Sequence, residues 1–299
     1  MTDNTIDFEQ TEGAYRSTFS LLRESFVTFL RSPLNAFSFS ITMLLILIAL
    51  LAPVLAPYPF DAIDPATGLS PPSAEHLMGT DQAGRDVFSR LLYGARTSLQ
   101  IAIITVVFGM IIGVTIGAVA GYYGRWVDEV LMRIVEIFMA VPGIVMALAL
   151  VAVLGPSLPS LVLALSIRRI TQFARVTRGT VLSVKTMDYV AACDAIGMND
   201  LRIIFTQVLP NCIGPLIVLS TVLVGNVILT ESALSFLGMG IQEPVPSIGT
   251  MIATGNEFLT FAPWISLFPG LFLVLIMIGF NLLGDGLRDH LDPRGGNVV

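Results

Sequence analysis

The chain alternates between long apolar stretches and shorter polar ones, and this alternation predicts its elements. A helix that crosses a membrane needs about 20 mostly apolar residues. Six stretches reach that length: 34–57, 98–121, 130–154, 157–180, 208–237 and 262–284. None shows the two-residue alternation of a membrane β-barrel, and a backbone in lipid must satisfy its own hydrogen bonds. The pattern therefore predicts an all-α membrane protein with six transmembrane helices.

Composition agrees with that prediction. Hydrophobic residues make up 54% of the 299 positions and charged residues only 13%, whereas soluble domains average about 45–50% and about 25%. Mean hydropathy is +0.81. The net charge of −6 says little, because the placement of Lys and Arg matters more than their sum in a membrane protein. An ordinary soluble domain is excluded.

Basic residues are unevenly divided between the two sets of loops. If the N-terminus is cytoplasmic, eleven Arg and Lys residues lie inside and only Arg85, Arg90 and Arg96 lie outside. Because cytoplasmic loops are enriched in Lys and Arg, both termini are expected inside, an N-in/C-in orientation. The expected divisions are a cytoplasmic segment (1–33), a six-span domain (34–294) with an external segment (57–97) and a cytoplasmic loop (180–207), and a tail (295–299).

The cytoplasmic loop contains a polar sequence that favours short helices. It reads Tyr189-Val-Ala-Ala-Cys-Asp-Ala-Ile-Gly197. Asp188 is expected to cap a first helix, and Asn199 or Asp200 a second. Gly197 allows a sharp turn between them. A short helix that carries small residues can fit a groove on a partner protein.

The spacing of this loop resembles the coupling loop of ATP-binding-cassette (ABC) import permeases, in which Glu-Ala-Ala precedes a glycine and then Leu-Pro. The chain departs from that pattern at Ala191, where the family has Glu, at Cys193 in the third position, and at Asp194, where the family has Arg. The resemblance implies that a separate ATPase docks here, through shape more than through one carboxylate. It assigns the contact to Asp188, Tyr189, Ala192, Asp194, Gly197, Asp200, Leu209 and Pro210.

A second polar sequence precedes the second apolar stretch. Gly79-Thr-Asp-Gln-Ala-Gly-Arg-Asp-Val-Phe-Ser-Arg90 continues as Leu-Leu-Tyr-Gly-Ala-Arg-Thr-Ser98. It resembles a sequence in one subunit type of peptide and nickel importers. Its glycines have the spacing of a phosphate loop, but Arg85-Asp86 follows instead of Lys and Ser or Thr, which excludes a nucleotide site.

Thr80 or Asp81 is expected to cap a helical elbow that lies on the outer surface before the second span. Asp81, Arg85 and Asp86 are therefore candidates for an outer gate or for a surface that docks a solute-binding protein. A purely structural elbow is the alternative.

Glu231 begins a third motif, Glu231-Ser-Ala-Leu-Ser-Phe-Leu-Gly-Met-Gly240, near the outer end of the fifth stretch. This motif resembles the same family. An ionisable residue at such depth is a candidate for the pathway or its gate. A cap at a helix break near the interface is the alternative.

Glycines recur every four residues in the second stretch, and this spacing creates a face on which another helix can approach closely. The neighbour is either within this chain or in a partner permease. The glycines are Gly109, Gly113, Gly117 and Gly121.

Arg168 and Arg169 interrupt the fourth stretch near its middle. Each Arg at the centre of a membrane helix costs at least about 2.5–3.5 kcal/mol. Either both side chains extend inward toward Arg175 and Arg178, or one faces an aqueous pathway. The second interpretation predicts a pathway that favours an anionic group such as a peptide carboxylate.

Together with a fourth motif, Asn281-Leu-Leu-Gly-Asp-Gly-Leu-Arg-Asp-His-Leu-Asp-Pro293, these sequences resemble the C-type subunit of peptide/nickel-type ABC importer permeases over residues 34–294. The resemblance implies a type I importer permease fold in the bacterial inner membrane and a pathway for di- or oligopeptides. Nickel, glutathione-like peptides, opines and sugars are alternative substrates. The implied partners are a homologous second permease, two cytoplasmic ABC ATPases and an extracytoplasmic solute-binding protein. ATP and Mg²⁺ belong to the ATPases, so no cofactor is expected in this chain.

Other classes fit less well. A secondary transporter would show intramembrane proton-relay acids and inverted halves, whereas Glu136 and Glu231 lie near opposite ends of spans. An intramembrane enzyme would need a catalytic constellation, and no intramembrane histidine or acid pair exists. His76 and His290 lack companions at metal-ligand spacing. The sequence therefore predicts no catalytic residue, no metal site and no nucleic-acid partner.

Overall fold

A computed structural model of the protein describes residues 27–291. This range is helical and contains no β-strand. After a helical turn at 27–31, the helices are α1 Pro33–Leu50, α2 Ala52–Leu55, α3 Val87–Tyr123, α4 Arg125–Ala140, α5 Gly143–Leu154, α6 Leu158–Val184, α7 Asp188–Ala195, α8 Asp200–Ile203, α9 Leu209–Phe236, α10 Ile248–Asn256 and α11 Trp264–Leu291. Three parts of the sequence prediction lie outside the described residues: the tail 295–299, Pro293 and most of segment 1–33.

The prediction of an all-α membrane protein is confirmed, with four or five candidate spans in the described range. Four helical units of the described range are long and apolar enough to cross a membrane: α1, α3, α11 and Asp200–Phe236. The last is a continuous unit that contains α8 and α9. The pair α4 and α5 counts as a fifth if the bent pair is one span. Helix α6 is 27 residues long, but its arginines keep it out of this group.

The stretch 130–154, predicted as one span, is broken. Helix α4 ends at Ala140, α5 begins at Gly143, and the two helices meet at an angle of 85°. Val141 at the break is extended, with φ −88° and ψ 130°. The cause is local, because Pro142 disfavours a helical conformation in the residue before it.

Helices α3 and α6 pack closely along the glycine face of α3. A Cβ added at Gly109 would lie 2.6 Å from the Cβ of Arg169, and one at Gly113 would lie 2.5 Å from the carbonyl oxygen of Ile170. Gly117 and Gly121 also face α6. The neighbour of the glycine face is therefore within this chain, and it is α6.

The sequence at 79–98 does not form a separate surface elbow. Helix α3 begins at Val87 and runs unbroken into the span, and the Asp86 carboxylate caps it by accepting from the Ser89 amide at 2.7 Å. The prediction that Thr80 or Asp81 caps this helix is wrong. Both residues lie in a tight loop between two glycines with φ of +75°, too early to reach the first turn of α3.

Candidate functional site

The loop 180–207, called the coupling loop below, contains α7 and α8. Asn199 caps α8, as predicted, by accepting from the Leu201 amide at 2.9 Å. The predicted cap by Asp188 is wrong, because Asp188 is the first residue of α7 and no side chain caps that helix. Gly197 joins the two helices with φ +77°. Open space surrounds the position that its Cβ would occupy.

One side of the coupling loop is exposed. Ala192, Asp194 and Gly197 are exposed. The large apolar side chain of Ile196, the residue before Gly197, is also exposed, at 77%. Exposed apolar surface next to small residues is typical of a surface that binds another protein.

The opposite side of the loop is attached to the helices. Val190 is buried. The Tyr122 hydroxyl at the end of α3 donates to Asp200 at 3.2 Å, and Lys185 lies over the Tyr122 ring and donates to its carbonyl oxygen. Tyr189 accepts a hydrogen bond from Asn211 of α9 at 3.0 Å. A displacement of α7 and α8 would therefore move the ends of α3 and α9.

Leu209 and Pro210 lie at the start of α9, and a π-helical turn, Ile204–Val208, precedes them. Proline lacks an N–H and its ring clashes with the carbonyl four residues earlier in a regular α-helix. The wider π turn relieves that conflict. The coupling loop thus continues into α9 as one helical unit from Asp200 to Phe236.

At the other end of α3, four charged residues form the Glu243 ion cluster: Asp81, Arg85, Arg90 and Glu243. Arg85 donates two hydrogen bonds to the Glu243 carboxylate, at 2.6 and 3.0 Å. It also donates one hydrogen bond to Asp81, at 2.7 Å. Arg90 donates to Glu243 at 3.1 Å. The two cations and two anions balance, so the cluster ties the loop 237–247 to the start of α3.

This pairing changes the acid–base behaviour of the cluster. The hydrogen bond from Arg85 holds the pKa of Glu243 below its ordinary value, although desolvation acts in the opposite direction. Desolvation lowers the pKa of Arg85, but the hydrogen bond to Glu243 and the charge of Asp81 outweigh it and raise that pKa. Both residues are therefore ionised at neutral pH.

Asp86 does not belong to the cluster. Besides capping α3, its carboxylate lies 2.9 Å from Nδ1 of His76, and His76 packs on Tyr58. Asp86 thus fixes the loop before α3 in place.

Glu231 is fully buried within α9, which continues past it to Phe236. Its carboxylate accepts hydrogen bonds from Ser98 of α3 at 3.1 Å and Ser235 of α9 at 2.7 Å. Ser98 in turn accepts from the amide of Ile248, the first residue of α10, at 3.2 Å. Glu231 therefore lies at the positive end of α10 and joins three helices. It caps no helix break.

Arg168 and Arg169 lie side by side on α6 in different surroundings. The stem of Arg168 packs beside Gly143, at the start of α5. Arg169 is only 6% exposed; it donates to Gln172 at 2.9 Å, and its Nε is buried without an acceptor. Arg175 lies near Met139 of α4. Among residues 27–291, no carboxylate pairs with these three arginines, whereas Arg178 pairs with Asp128 at 2.5 and 2.6 Å.

Sequence reasoning missed Glu243, Gln172 and Gly143. The excess of arginine around position 85 signals a need for an acid, but Glu243 is 158 residues away along the chain. Pro142 signals the bend, but the contact between Gly143 and Arg168 depends on tertiary packing.

The fold resembles a solved transporter structure. It matches the structure titled "Inward facing conformations of the MetNI methionine ABC transporter" with a TM-score of 0.56 and 18% identity, over 69% of this chain and 97% of that one. The architecture is therefore that of a type I ABC importer permease.

Sequence comparisons define the family. The "Binding-protein-dependent transport system inner membrane component" family matches residues 113–295, and the "N-terminal TM domain of oligopeptide transport permease C" matches residues 20–72. The chain is 44% identical to a dipeptide transport system permease of Alkalihalophilus pseudofirmus, over 91% of this chain and 90% of that protein. It is 38% identical to an oligopeptide transport system permease of Bacillus subtilis, over 93% and 92%. It is 40% identical to a glutathione transport system permease of Pectobacterium atrosepticum, over 91% of each chain.

The chain belongs to the family of binding-protein-dependent transport system inner membrane components. It is a multi-pass permease of the bacterial inner membrane, and the predicted resemblance to peptide-type permeases is confirmed.

Proposed function

We propose that this chain forms half of the translocation pathway of an ATP-driven importer of di- or oligopeptides. Relatives named for dipeptide and oligopeptide transport match along most of the chain, and the glutathione relative also carries a peptide. These names favour peptides over nickel, opines or sugars.

The proposed topology has six spans, with both termini in the cytoplasm and one permease domain at 34–294. Helix α6 is the span that composition alone does not identify. It suits this position because α3 packs closely along it and buries Arg169. The orientation rests on the excess of basic residues in the loops on one side.

The coupling loop is the proposed docking site for one of two ABC ATPases, which hold ATP and Mg²⁺. The observation that carries this proposal is an exposed surface on a loop that is attached to the helices: Ile196 is exposed, while Asp200 is hydrogen-bonded to Tyr122 of α3. ATP-driven closure of the ATPases would move α7 and α8 as a body, and the movement would pass to α3 and α9. The chain itself hydrolyses nothing.

The other end of the molecule receives the solute-binding protein, and a homologous second permease completes the pathway. The gate candidates differ in their roles. Asp81 and Arg85 hold the loop 237–247 through Glu243, Asp86 fixes the loop before α3, and Glu231 positions α10. They act by holding the gate elements in place.

A substitution at Gly197 tests the coupling proposal. Gly197→Val places a β-branched residue at φ +77°, which costs about 1–2 kcal/mol locally and puts bulk on the docking surface. We expect normal membrane insertion but at least about tenfold less ATP-dependent uptake per assembled transporter. The measurement is peptide uptake together with co-purification of the ATPase.

Gly270→Val is the matched control, because Gly270 also has open space around its Cβ position and lies within α11. Wild-type coupling in Gly197→Val would overturn the docking assignment. Absence of peptide uptake by the wild-type transporter would overturn the substrate.

A further inference from the structure

The arginine pair on α6 carries positive charge that nothing in the described chain neutralises. Arg169 is buried with an unsatisfied Nε, and its one side-chain partner is the neutral Gln172. The guanidinium of Arg168 has no hydrogen-bond or ion-pair partner among residues 27–291. The buried charge of Arg169 has no counter-charge, which is strongly unfavourable, and the half-buried Arg168 beside it is also unpaired in the described chain. We therefore take an anion to be the missing component.

The break between α4 and α5 adds to this positive field. Helix α5 is 12 residues long and no side chain caps it. The amide of Met146 is the first to bond back, to Pro142, which leaves the amides of residues 143–145 without intrahelical acceptors. Gly143 at this terminus touches the stem of Arg168. The stem of Arg168 thus packs beside the positive N-terminus of α5.

The position favours a transported group over a lipid headgroup. Arg168 lies ten residues after Leu158, so it is about 15 Å from one end of α6 and about 24 Å from the other. It lies deep within the hydrocarbon layer if α6 spans the membrane. Irregular backbone such as Val141–Pro142 occurs at that depth where it is buried in protein or lines an aqueous cavity.

We infer that Arg168, together with the free amides at the start of α5, binds the C-terminal carboxylate of the peptide in transit. Arg168 contacts the carboxylate. Arg169 is a positioning residue that orients Gln172 and adds positive charge next to Arg168. The inference rests on the proposed function. It explains why two arginines remain in a span at a cost of several kcal/mol.

The experiment compares uptake of a labelled dipeptide with uptake of its C-terminal amide, by cells that express the complete transporter. The quantity compared is the ratio of acid uptake to amide uptake. Every permease variant is paired with the same binding protein, whose preference therefore contributes equally to each ratio. A change in the ratio thus reports on the permease. We expect Arg168→Gln to lower that ratio at least about fivefold, mainly through loss of acid uptake. Arg168→Lys should restore part of it, and Arg169→Gln should have a smaller effect.

The matched control is Arg133→Gln, an exposed arginine on α4 that pairs with Glu136; its ratio should equal that of the wild type. Assembly with the ATPase and with the second permease is measured in parallel. An unchanged ratio in assembled Arg168→Gln transporter would overturn the inference. So would failure of both Arg168→Gln and Arg168→Lys to assemble, because the arginine would then be a structural or interface residue.

Failure of the proposed function is distinguishable from these outcomes. In that case the wild-type transporter would take up neither the acid nor the amide, whatever residue occupies position 168.

Discussion

The permease contains two groups of buried or half-buried arginines, and the groups differ in whether acids are paired with them. In the Glu243 ion cluster, Arg85 and Arg90 are each bonded to Glu243, and Asp81 completes the charge balance. On α6, Arg169 is buried and Arg168 is half-buried, yet no described carboxylate is paired with either. The ion cluster lies at the start of α3, and Arg169 packs against the glycine face of the same helix.

The difference separates structural charge from functional charge. A compensated cluster can be kept for the loop that it fixes, since its members satisfy one another. An uncompensated pair lowers stability in the empty protein, so its retention points to a ligand that is absent most of the time. Four substitutions or conditions, from the largest expected effect to the smallest, test this contrast.

The largest effect is expected at Arg85. Arg85→Gln removes the bidentate partner of Glu243. It also leaves Asp81, which is 5% exposed, with the 3.6 Å approach of Arg90 as its one remaining ion pair among the described residues. Breaking a buried ion pair by removing one partner costs about 3–5 kcal/mol. The midpoint of thermal unfolding of the purified chain in detergent should fall clearly. Arg133→Gln, which breaks an exposed pair, is the control and should cost less than about 1 kcal/mol. Equal small losses in both variants would remove the structural role of the cluster.

The next effect concerns the support of the arginine pair. Gly109→Ala would place a methyl group 2.6 Å from the Cβ of Arg169, and such overpacking costs about 1–3 kcal/mol. Because the arginines lack ionic partners, this packing is what fixes Arg169, and the variant should lose both stability and peptide uptake. Gly214→Ala in α9, which meets open space, should lose neither. A stable Gly109→Ala variant would show that α3 and α6 are less closely packed than described.

The sequence predicted the helices better than it predicted the contacts between them. The helical class, the glycine face and the Asn199 cap follow from local patterns, because each depends on residues close together in the chain. The Glu243 cluster does not, since Arg85 and Glu243 are far apart in sequence. The break at Val141 has a local part and a tertiary part. Pro142 signals the kink from the sequence, whereas the contact between Gly143 and Arg168 depends on helix packing. Asp188 failed as a cap because the helix begins one residue earlier than predicted, with Met187 at the cap position.

A smaller effect is expected from pH at Glu243. Its pKa is depressed in the folded protein, so its contribution to stability is complete above the ordinary glutamate pKa, about 4.3. That contribution is lost as pH falls through the lower, folded-state value. Stability should therefore be insensitive to this group between about pH 5 and 8 and should decline in more acidic solution. The difference in unfolding midpoint between wild type and Glu243→Gln should shrink as the pH falls below about 4. A difference that stays constant down to pH 3 would contradict the assignment.

The smallest effect on stability is expected at Arg169, and it is the sharpest test of the contrast. Arg169→Leu removes a buried charge that has no counter-ion and replaces it with an apolar side chain that fits an apolar helix interface. Replacing buried ionic groups by hydrophobic ones is often neutral or stabilising, so the unfolding free energy should change by no more than about 1 kcal/mol or should rise. Peptide uptake should nevertheless fall, since the positive field at the start of α5 is weakened. If Arg169→Leu were instead as destabilising as Arg85→Gln, the pair would have to be compensated within the resting protein, and the distinction between the two groups of arginines would disappear.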